Sequence, residues 1–211
     1  MQLLPGKDGL FPTIPENCEA RLLGDKDSVL KVTVGAPKLG RVFDYLDRPR
    51  DGLGAATGLT MPVFNEQPVT GSTESLTRGL HTGITAVDSL TPIGKGQTML
   101  VVGPSGVGRT ELALDAVQAQ AGKGVPCVWA CLHGQAPAIR AALQARGCLH
   151  NTALVEAPEG APPAVQFATA AAALSAAEVL VSLHAHASPP SVTAMHCDLA
   201  ARGFEMTAGT R

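Results

Sequence analysis

Aromatic residues are scarce in this chain: Phe, Trp and Tyr make up 3% of its 211 residues, with one Trp and one Tyr. The core must therefore be packed from Val, Leu and abundant Ala, each of which buries little area. Such a core is marginal by itself, which makes a partner surface attractive. A basic excess is also lacking. Lys and Arg number 16 against 18 Asp and Glu, a net charge of −2, which excludes the electropositive footprint of a nucleic-acid binder. No apolar run reaches the roughly eighteen residues of a membrane span. The five cysteines, Cys18, Cys127, Cys131, Cys148 and Cys197, are too few and too scattered for a disulfide framework. Cys127 and Cys131 flank Trp129 in an apolar run and read as buried thiols. The opening residues lack both the cationic-then-apolar order of a secretory signal and the arginine richness of a transit peptide. An intracellular, reducing compartment is expected, and the 45% hydrophobic content with 16% charge is that of a globular domain.

Against these absences stands one glycine-rich stretch. The apolar run Thr98–Val102 has the length of a buried strand, and we expect it at the centre of a parallel sheet. It leads into Gly103, Pro104, Ser105, Gly106, Val107, Gly108, Arg109 and Thr110. Beyond these, Leu112, Ala113, Ala116 and Val117 fall on one face at helical spacing. Strand, glycine turn and helix form the context in which GxxxxGK[ST] has a mechanism. Glycines let the backbone curl so that several N–H groups converge on phosphate oxygens, and the helix adds its unpaired N–H groups and positive dipole end. Thr110 stands where a hydroxyl completes the shell of a Mg²⁺ carried in by a nucleotide. Arg109 replaces the motif's lysine. It keeps the charge but exchanges a compact ammonium for a longer planar fork. Gly103, Ser105, Gly106, Val107, Gly108, Arg109, Thr110 and Glu111 are the candidate nucleotide-binding residues, with Thr110 also the candidate metal ligand.

The rest of the chain alternates strands and helices. Residues 29–34 alternate as a half-buried strand does, and residues 40–44 form another short strand. From residue 52 to 77 Gly, Thr, Ser and Pro mark an extended connector. After the first helix, ended by Gly122 and Gly124, come an apolar strand over 125–132 and a helix over 137–146 with Ile139, Ala142 and Leu143 inward. A short strand over 153–155 and an alanine-rich helix over 164–180 follow. Past Pro189-Pro190 the pattern fades, and a fourth core strand is not expected. Helices on a parallel sheet are the expected α/β class. Gln135, at a strand end, is a further candidate near the γ-phosphate. Glu156, Glu159 and Glu178 read as surface charges, because none is expected at a strand end beside the loop. His184, His186, His196 and Cys197 match no standard zinc spacing.

Residues 82–97, from Thr82-Gly83-Ile84 through Asp88 to Gly96-Gln97, followed by the glycine loop, resemble the alpha/beta family of rotary ATP synthases. Residues 40–44 with Arg48-Pro49 and Asp51-Gly52 resemble that family's junction between an N-terminal β-barrel and the nucleotide domain. The turn 92–97 and Gly134-Gln135 are similar to the alpha branch, where beta instead carries the glutamate that polarises water. The loop tip, Ser105 to Gly108, is closer to beta. The resemblance covers residues from about 29 to 180. It implies a P-loop, RecA-like domain with a mainly parallel sheet over 96–211, a connector over 53–95, and a partial β-rich segment over 1–52 left from a barrel domain. It further implies ATP or ADP with Mg²⁺ bound weakly without turnover, and beta-like subunits or another complex as partners. The expected place is peripheral, at the cytoplasmic face of a bacterial membrane or in a mitochondrion or chloroplast. The departures are Arg109, the missing barrel, a partial acidic counterpart at Cys197-Asp198-Leu199, and an end at Arg211 before the family's arginine finger and helical domain. Two other readings stand beside this one: a degenerate interaction protein that has lost nucleotide binding, and an independent RecA-type ATPase, against which the missing glutamate counts.

Overall fold

The computed structural model describes residues 30–64, 78–104, 106–185, 194–200 and 203–209. Ser105, His186 and most of the N-terminal segment expected over 1–52 lie outside these residues. The first elements are β1 (Lys31–Val34), β2 (Val42–Asp44), β3 (Leu59–Pro62) and β4 (Gly79–Leu80). They are followed by α1 (Thr85–Leu90), β5 (Ile93–Gly94), β6 (Thr98–Val102), α2 (Arg109–Ala121) and β7 (Cys127–Cys131). The chain continues through α3 (Ala136–Ala145), β8 (Thr152–Glu156), α4 (Pro163–Ala185), β9 (Ala194–Ala200) and β10 (Gly203–Gly209).

Six strands form the main sheet in the order β2-β8-β7-β9-β10-β6. β2, β8, β7 and β9 pair in parallel, and β10 is antiparallel to both β9 and β6. β6 therefore points the same way as the first four, and the mainly parallel α/β class holds. Its place does not: the sequence puts Thr98–Val102 at the centre, whereas the structure has it as an edge strand beside an antiparallel neighbour. The physical reason is the β9–β10 hairpin, which occupies the position between β7 and β6. Two residues, Ala201 and Arg202, separate these strands in sequence, too few for a parallel crossover, so β10 returns antiparallel. The expectation of no fourth core strand past Pro189-Pro190 is likewise corrected. The signal was present as period-two alternation, with Met195, Cys197 and Leu199 alternating with His196 and Asp198.

β7 explains why the sheet carries helices on both faces. All five of its residues are buried. Val128 and Ala130 join a core with Val155 of β8 and Val165, Ala168, Ala172, Ala173, Ala176 and Leu180 of α4. Cys127, Trp129 and Cys131 join the opposite core, with Leu114 and Val117 of α2 and Ile139 and Leu143 of α3. Alternation along one strand thus feeds two cores. The alanine face of α4 lets that helix lie close to the sheet. β6 is covered on one side only: Met99 and Val101 pack toward α2, while Leu100 and Val102 are 64% and 69% exposed.

The block at 82–97, so specific in sequence, works as a clasp on α2. The Asp88 carboxylate accepts the Thr82 N–H and hydroxyl and the Gly83 N–H, at 2.9, 2.7 and 3.1 Å. Burial would raise the Asp88 pKa, but the Thr82 and Gly83 hydrogen bonds outweigh it and hold it below the usual value. Gly83 has φ +80°, and a Cβ there would stand 3.0 Å from the Ala119 Cβ of α2. Buried Gln120 donates to the His81 carbonyl at 2.8 Å, and Lys123 donates to the same oxygen at 3.0 Å. Leu80 and Ile93, paired across β4 and β5, complete the core beneath α2.

β2 adds the sheet edge next to β8, so the sheet draws chain from both sides of the connector. β1 and β3 form a separate antiparallel pair, docked on α4 through Val32, Val63 and a 2.6 Å hydrogen bond from Ser175 Oγ to the Val63 carbonyl. Fully buried Phe43 lies under two cations, with Lys38 Nζ 4.4 Å and Arg41 Cζ 4.8 Å from its ring centre. Arg41 in turn grips Asp51 with two hydrogen bonds, 2.8 and 3.0 Å.

The bidentate Arg41 contact holds the Asp51 carboxyl down at about 2, against its usual 3.8. A depressed carboxyl contributes stability that is fully present above the unfolded value and is lost as pH falls through the folded one. Asp51→Asn should therefore cost about 1–2 kcal/mol near neutral pH, with the gap to the parent closing between about pH 4 and pH 2. Urea midpoints of both proteins across that range check this. A gap independent of pH would mean that the pair contributes through packing alone.

Candidate functional site

The glycine loop connects the C-terminal end of β6 to the start of α2, and its glycines are there for geometry. Gly106 and Gly108 have φ +83° and +87°, a region that side chains other than glycine adopt at a cost. At Gly103 the requirement is space: a Cβ would stand 3.0 Å from Val107 Cγ2, so the loop tip folds down over its own start. Gly108 is the helix N-cap and brings no side-chain acceptor. The first helical bond runs from the Leu112 N–H to the Gly108 carbonyl, 2.9 Å. The N–H groups of Arg109, Thr110 and Glu111 precede it and have no carbonyl four residues back. Three donors and the positive end of a 13-residue helix thus meet at one exposed place.

Arg109 is the first residue of α2 and turns back across this loop. Its Cδ stands 3.8 Å from where a Cβ on Gly103 would be. Its Nη1 is shut off from solvent and has no hydrogen-bond partner among the described residues. An enclosed donor left unmade costs about 1–3 kcal/mol, more when it is charged. The unpaired N–H groups at the start of α2 and the positive charge of Arg109 beside them fit an anionic phosphate ligand. Tyr45 Oη is a second buried atom without a partner among the described residues, but Tyr45 packs with Val32 and Val63 against α4. Thr110 is half-buried beside Arg109 and brings the hydroxyl oxygen that a hard cation takes.

Glu111 faces away from the loop. Its carboxylate pairs with Arg146 at the C-terminal end of α3, and the same guanidinium also holds Asp115 one turn further along α2. Arg146 thereby pins the first two turns of α2 to α3. Sequence reading missed this contact, whose signal was an acidic pair at i and i+4 opposite a helix-terminal arginine.

The structure brings residues 103–111 together, Ser105 lying outside the described residues, but sets Gln135 apart from them. Gln135 caps α3 after β7, on the same edge of the sheet as the loop. β9 and β10 stand between β7 and β6, three strand spacings or about 14 Å. The turn before Gln135 is tight: His133 and Gly134 have φ +56° and +70°, the Gly134 N–H reaches the Ala157 carbonyl at 3.0 Å, and Gln166 Nε2 lies 3.3 Å from His133 Nδ1. Glu156, read as a surface charge, is in fact the last residue of β8 on this edge, half-buried, and burial raises its carboxyl. Asp198 lies within β9, in register with Glu205 of β10, and β10 separates it from β6. Among the described residues no three His, Cys, Asp or Glu side chains converge as metal ligands.

The family model described as the nucleotide-binding domain of the ATP synthase alpha/beta family matches residues 83–193, from the Gly83 clasp to just before β9. Relatives include ATP synthase subunit alpha of Francisella tularensis subsp. tularensis (strain WY96-3418), 35% identical over 163 residues, covering 75% of this chain and 31% of that protein. ATP synthase subunit alpha 2 of Hahella chejuensis (strain KCTC 2396) gives the same identity and coverage. ATP synthase subunit alpha of Janthinobacterium sp. (strain Marseille) is 35% identical over 146 residues, 67% of this chain and 29% of that protein. The chain spans about a third of the length of these relatives.

Two glycines on the same sheet edge separate backbone strain from crowding. A Cβ on Gly134 would stand 2.9 Å from Glu159 Cβ and 3.1 Å from its backbone N, whereas at Gly106 nothing lies within 4 Å. Gly106→Ala should cost about 1 kcal/mol for its left-handed backbone alone, and Gly134→Ala about 2–4 kcal/mol. Equal losses in thermal unfolding would show that the contact between the loops after β7 and β8 is not tight.

Proposed function

Because this chain belongs to the ATP synthase alpha/beta family, we propose that it is an alpha-like subunit that binds ATP or ADP at residues 103–111 without turning it over. The observation that supports this reading is the convergence of the first N–H groups of α2 on a loop whose Gly106 and Gly108 take the left-handed backbone, with the Arg109 stem lying beside Gly103. In this reading the N–H groups of Gly106, Gly108, Arg109 and Thr110 take the phosphate oxygens, and the Arg109 fork adds a charge-assisted bond. The Thr110 hydroxyl meets the Mg²⁺ that the nucleotide carries in. Held there, that ion would neutralise phosphate charge. Val107 covers Gly103 and narrows the loop, and Arg146 withdraws the Glu111 carboxylate so that it does not repel the anion.

Non-catalytic binding follows from what the edge of the sheet offers. A general base must reach the attacking water. Gln135 bears an amide, Glu111 is engaged with Arg146, Asp198 lies behind β10, and Glu156 ends β8, with β7, β9 and β10 between it and β6. Partners of this subunit would be beta-like subunits of an ATP synthase or a related assembly. The low-aromatic core and the half-covered β6 favour life within a complex. No helix among the described residues is long and apolar enough to cross a membrane, so attachment at a bacterial or organellar membrane would be peripheral, through the complex.

Removing the arginine as Arg109→Ala should weaken nucleotide affinity about ten- to a hundred-fold, as expected for loss of one charge-assisted bond. Phosphate release by the parent should stay at background. Calorimetry and a turnover assay on the full chain read both. Robust hydrolysis that disappears in Thr110→Ala would overturn the non-catalytic reading, and equal affinity in parent and Arg109→Ala would remove Arg109 from the site.

A further inference from the structure

We infer that the exposed face of α4 seats a second copy of this chain, docked as an antiparallel pair of α4 helices about a two-fold axis. This inference is independent of the nucleotide-binding reading above. A helix on the outside of a sheet normally turns a polar face to water, and one that is apolar all round is covered all round. α4 departs from that pattern. Val165, Ala168, Ala172 and Ala176 are buried in the core, and Ser175 is tied to the Val63 carbonyl beside β3. The face left over carries Phe167, Ala170, Ala171 and Leu174, with Phe167 66% and Leu174 38% exposed. No charged residue stands between Glu159 and Glu178. Phe64, just after β3, is 47% exposed and stacks on Phe167, with ring centres 6.0 Å and planes 16° apart. Two of the chain's five phenylalanines thus lie together at the surface, and aromatic side chains of this kind are enriched in interfaces.

The spacing along that face identifies what covers it. Phe167 precedes Ala170 by as many residues as Leu174 follows Ala171, so the stripe turned end for end meets itself in register. Alanine then faces alanine at the crossing, and each Phe167 meets the other copy's Leu174. A two-fold contact requires this kind of self-complementarity. Alanines at the crossing let the helix axes approach to about 8 Å, and the longer side chains on either side fill the space between the turns. The charges agree with the same arrangement. Glu178 is exposed one turn beyond Leu174. In the antiparallel pair it falls opposite Pro163, where the other copy's α4 begins with no acidic residue in its first turn. A carboxylate is favoured at the positive end of a helix. The apolar patch amounts to a few hundred Å², below the roughly 800 Å² that each side of a standard interface buries. The dimer is therefore of the weak, exchanging kind.

The test is sedimentation velocity of the full chain from about 1 to about 200 μM, without nucleotide. The parent should pass from monomer towards dimer across that range, with a Kd on the order of 10–100 μM. Phe167→Asp should weaken the association about ten-fold or more, and its thermal unfolding at the lowest concentration shows that the fold is kept. Ala170→Cys, a smaller change at the crossing, should give a disulfide-linked dimer on mild oxidation, well above the background of the parent's own cysteines, because the two positions face each other within disulfide reach. A parent that stays monomeric throughout would overturn the inference, whatever the variants do. A dimer indifferent to a folded Phe167→Asp, or one that gives no Ala170→Cys link, would overturn the seat on α4.

Discussion

The structure depends on one strand buried on both faces. β7 carries small or flat residues, Cys127, Val128, Trp129, Ala130 and Cys131, and leaves none of them exposed. Trp129 and the two thiols hold α2 and α3 on one side, and Val128 and Ala130 hold α4 on the other. With so few aromatics in the chain, the single tryptophan stands in the core beneath the helix that starts at the phosphate loop. Burial, with a smaller contribution from neighbouring Cys148, raises the Cys127 thiol to about 12. Such a thiol is a packing group rather than a nucleophile. The position of α2, and hence of the loop, is set from beneath by this core, from one end by the Asp88 clasp, and from the side by Arg146.

The elements that repeat at regular period were legible in the sequence. The helix faces at Ala113, Ala116 and Val117, and at Ile139 and Leu143, and the apolar run that became β7, all follow from spacing alone. The place of β6 was not legible, because an apolar run of five residues reads the same at a sheet's centre and at its edge. Neighbour order is decided by the β9–β10 hairpin, distant in sequence. The alternation of Met195, Cys197 and Leu199 was visible, but the preceding Pro-Pro obscured it. For the site, the glycine and hydroxyl positions could be read from spacing, as could the exchange of lysine for arginine. The enclosure of Arg109 and the engagement of Glu111 by Arg146 could not, since both depend on contacts between residues that sequence spacing does not bring together.

The long block at 82–97 is tied to α2 by its own hydrogen bonds and packing. Asp88 gathers the Thr82 and Gly83 donors, Gly83 makes room for Ala119, and Gln120 ties the end of α2 to His81. Each of these residues is constrained by packing against the helix whose other end forms the phosphate loop. Their role is to fix where the helix N-terminus points. The loop itself is open and glycine-rich, with Gly106, Val107 and Gly108 all exposed, so its order comes from the scaffold.

In the proposed reading, phosphates bind at the start of α2, beside Arg109. Backbone amide spectra of the full chain recorded during titration with ADP test it most directly, because each donor in the loop reports on itself. The account predicts large, saturable shifts at Gly106, Gly108, Arg109 and Thr110, with the clasp at Thr82 and Gly83 essentially unmoved. Saturating ADP that leaves those four amides in place, or shifts concentrated elsewhere on the sheet, would contradict it.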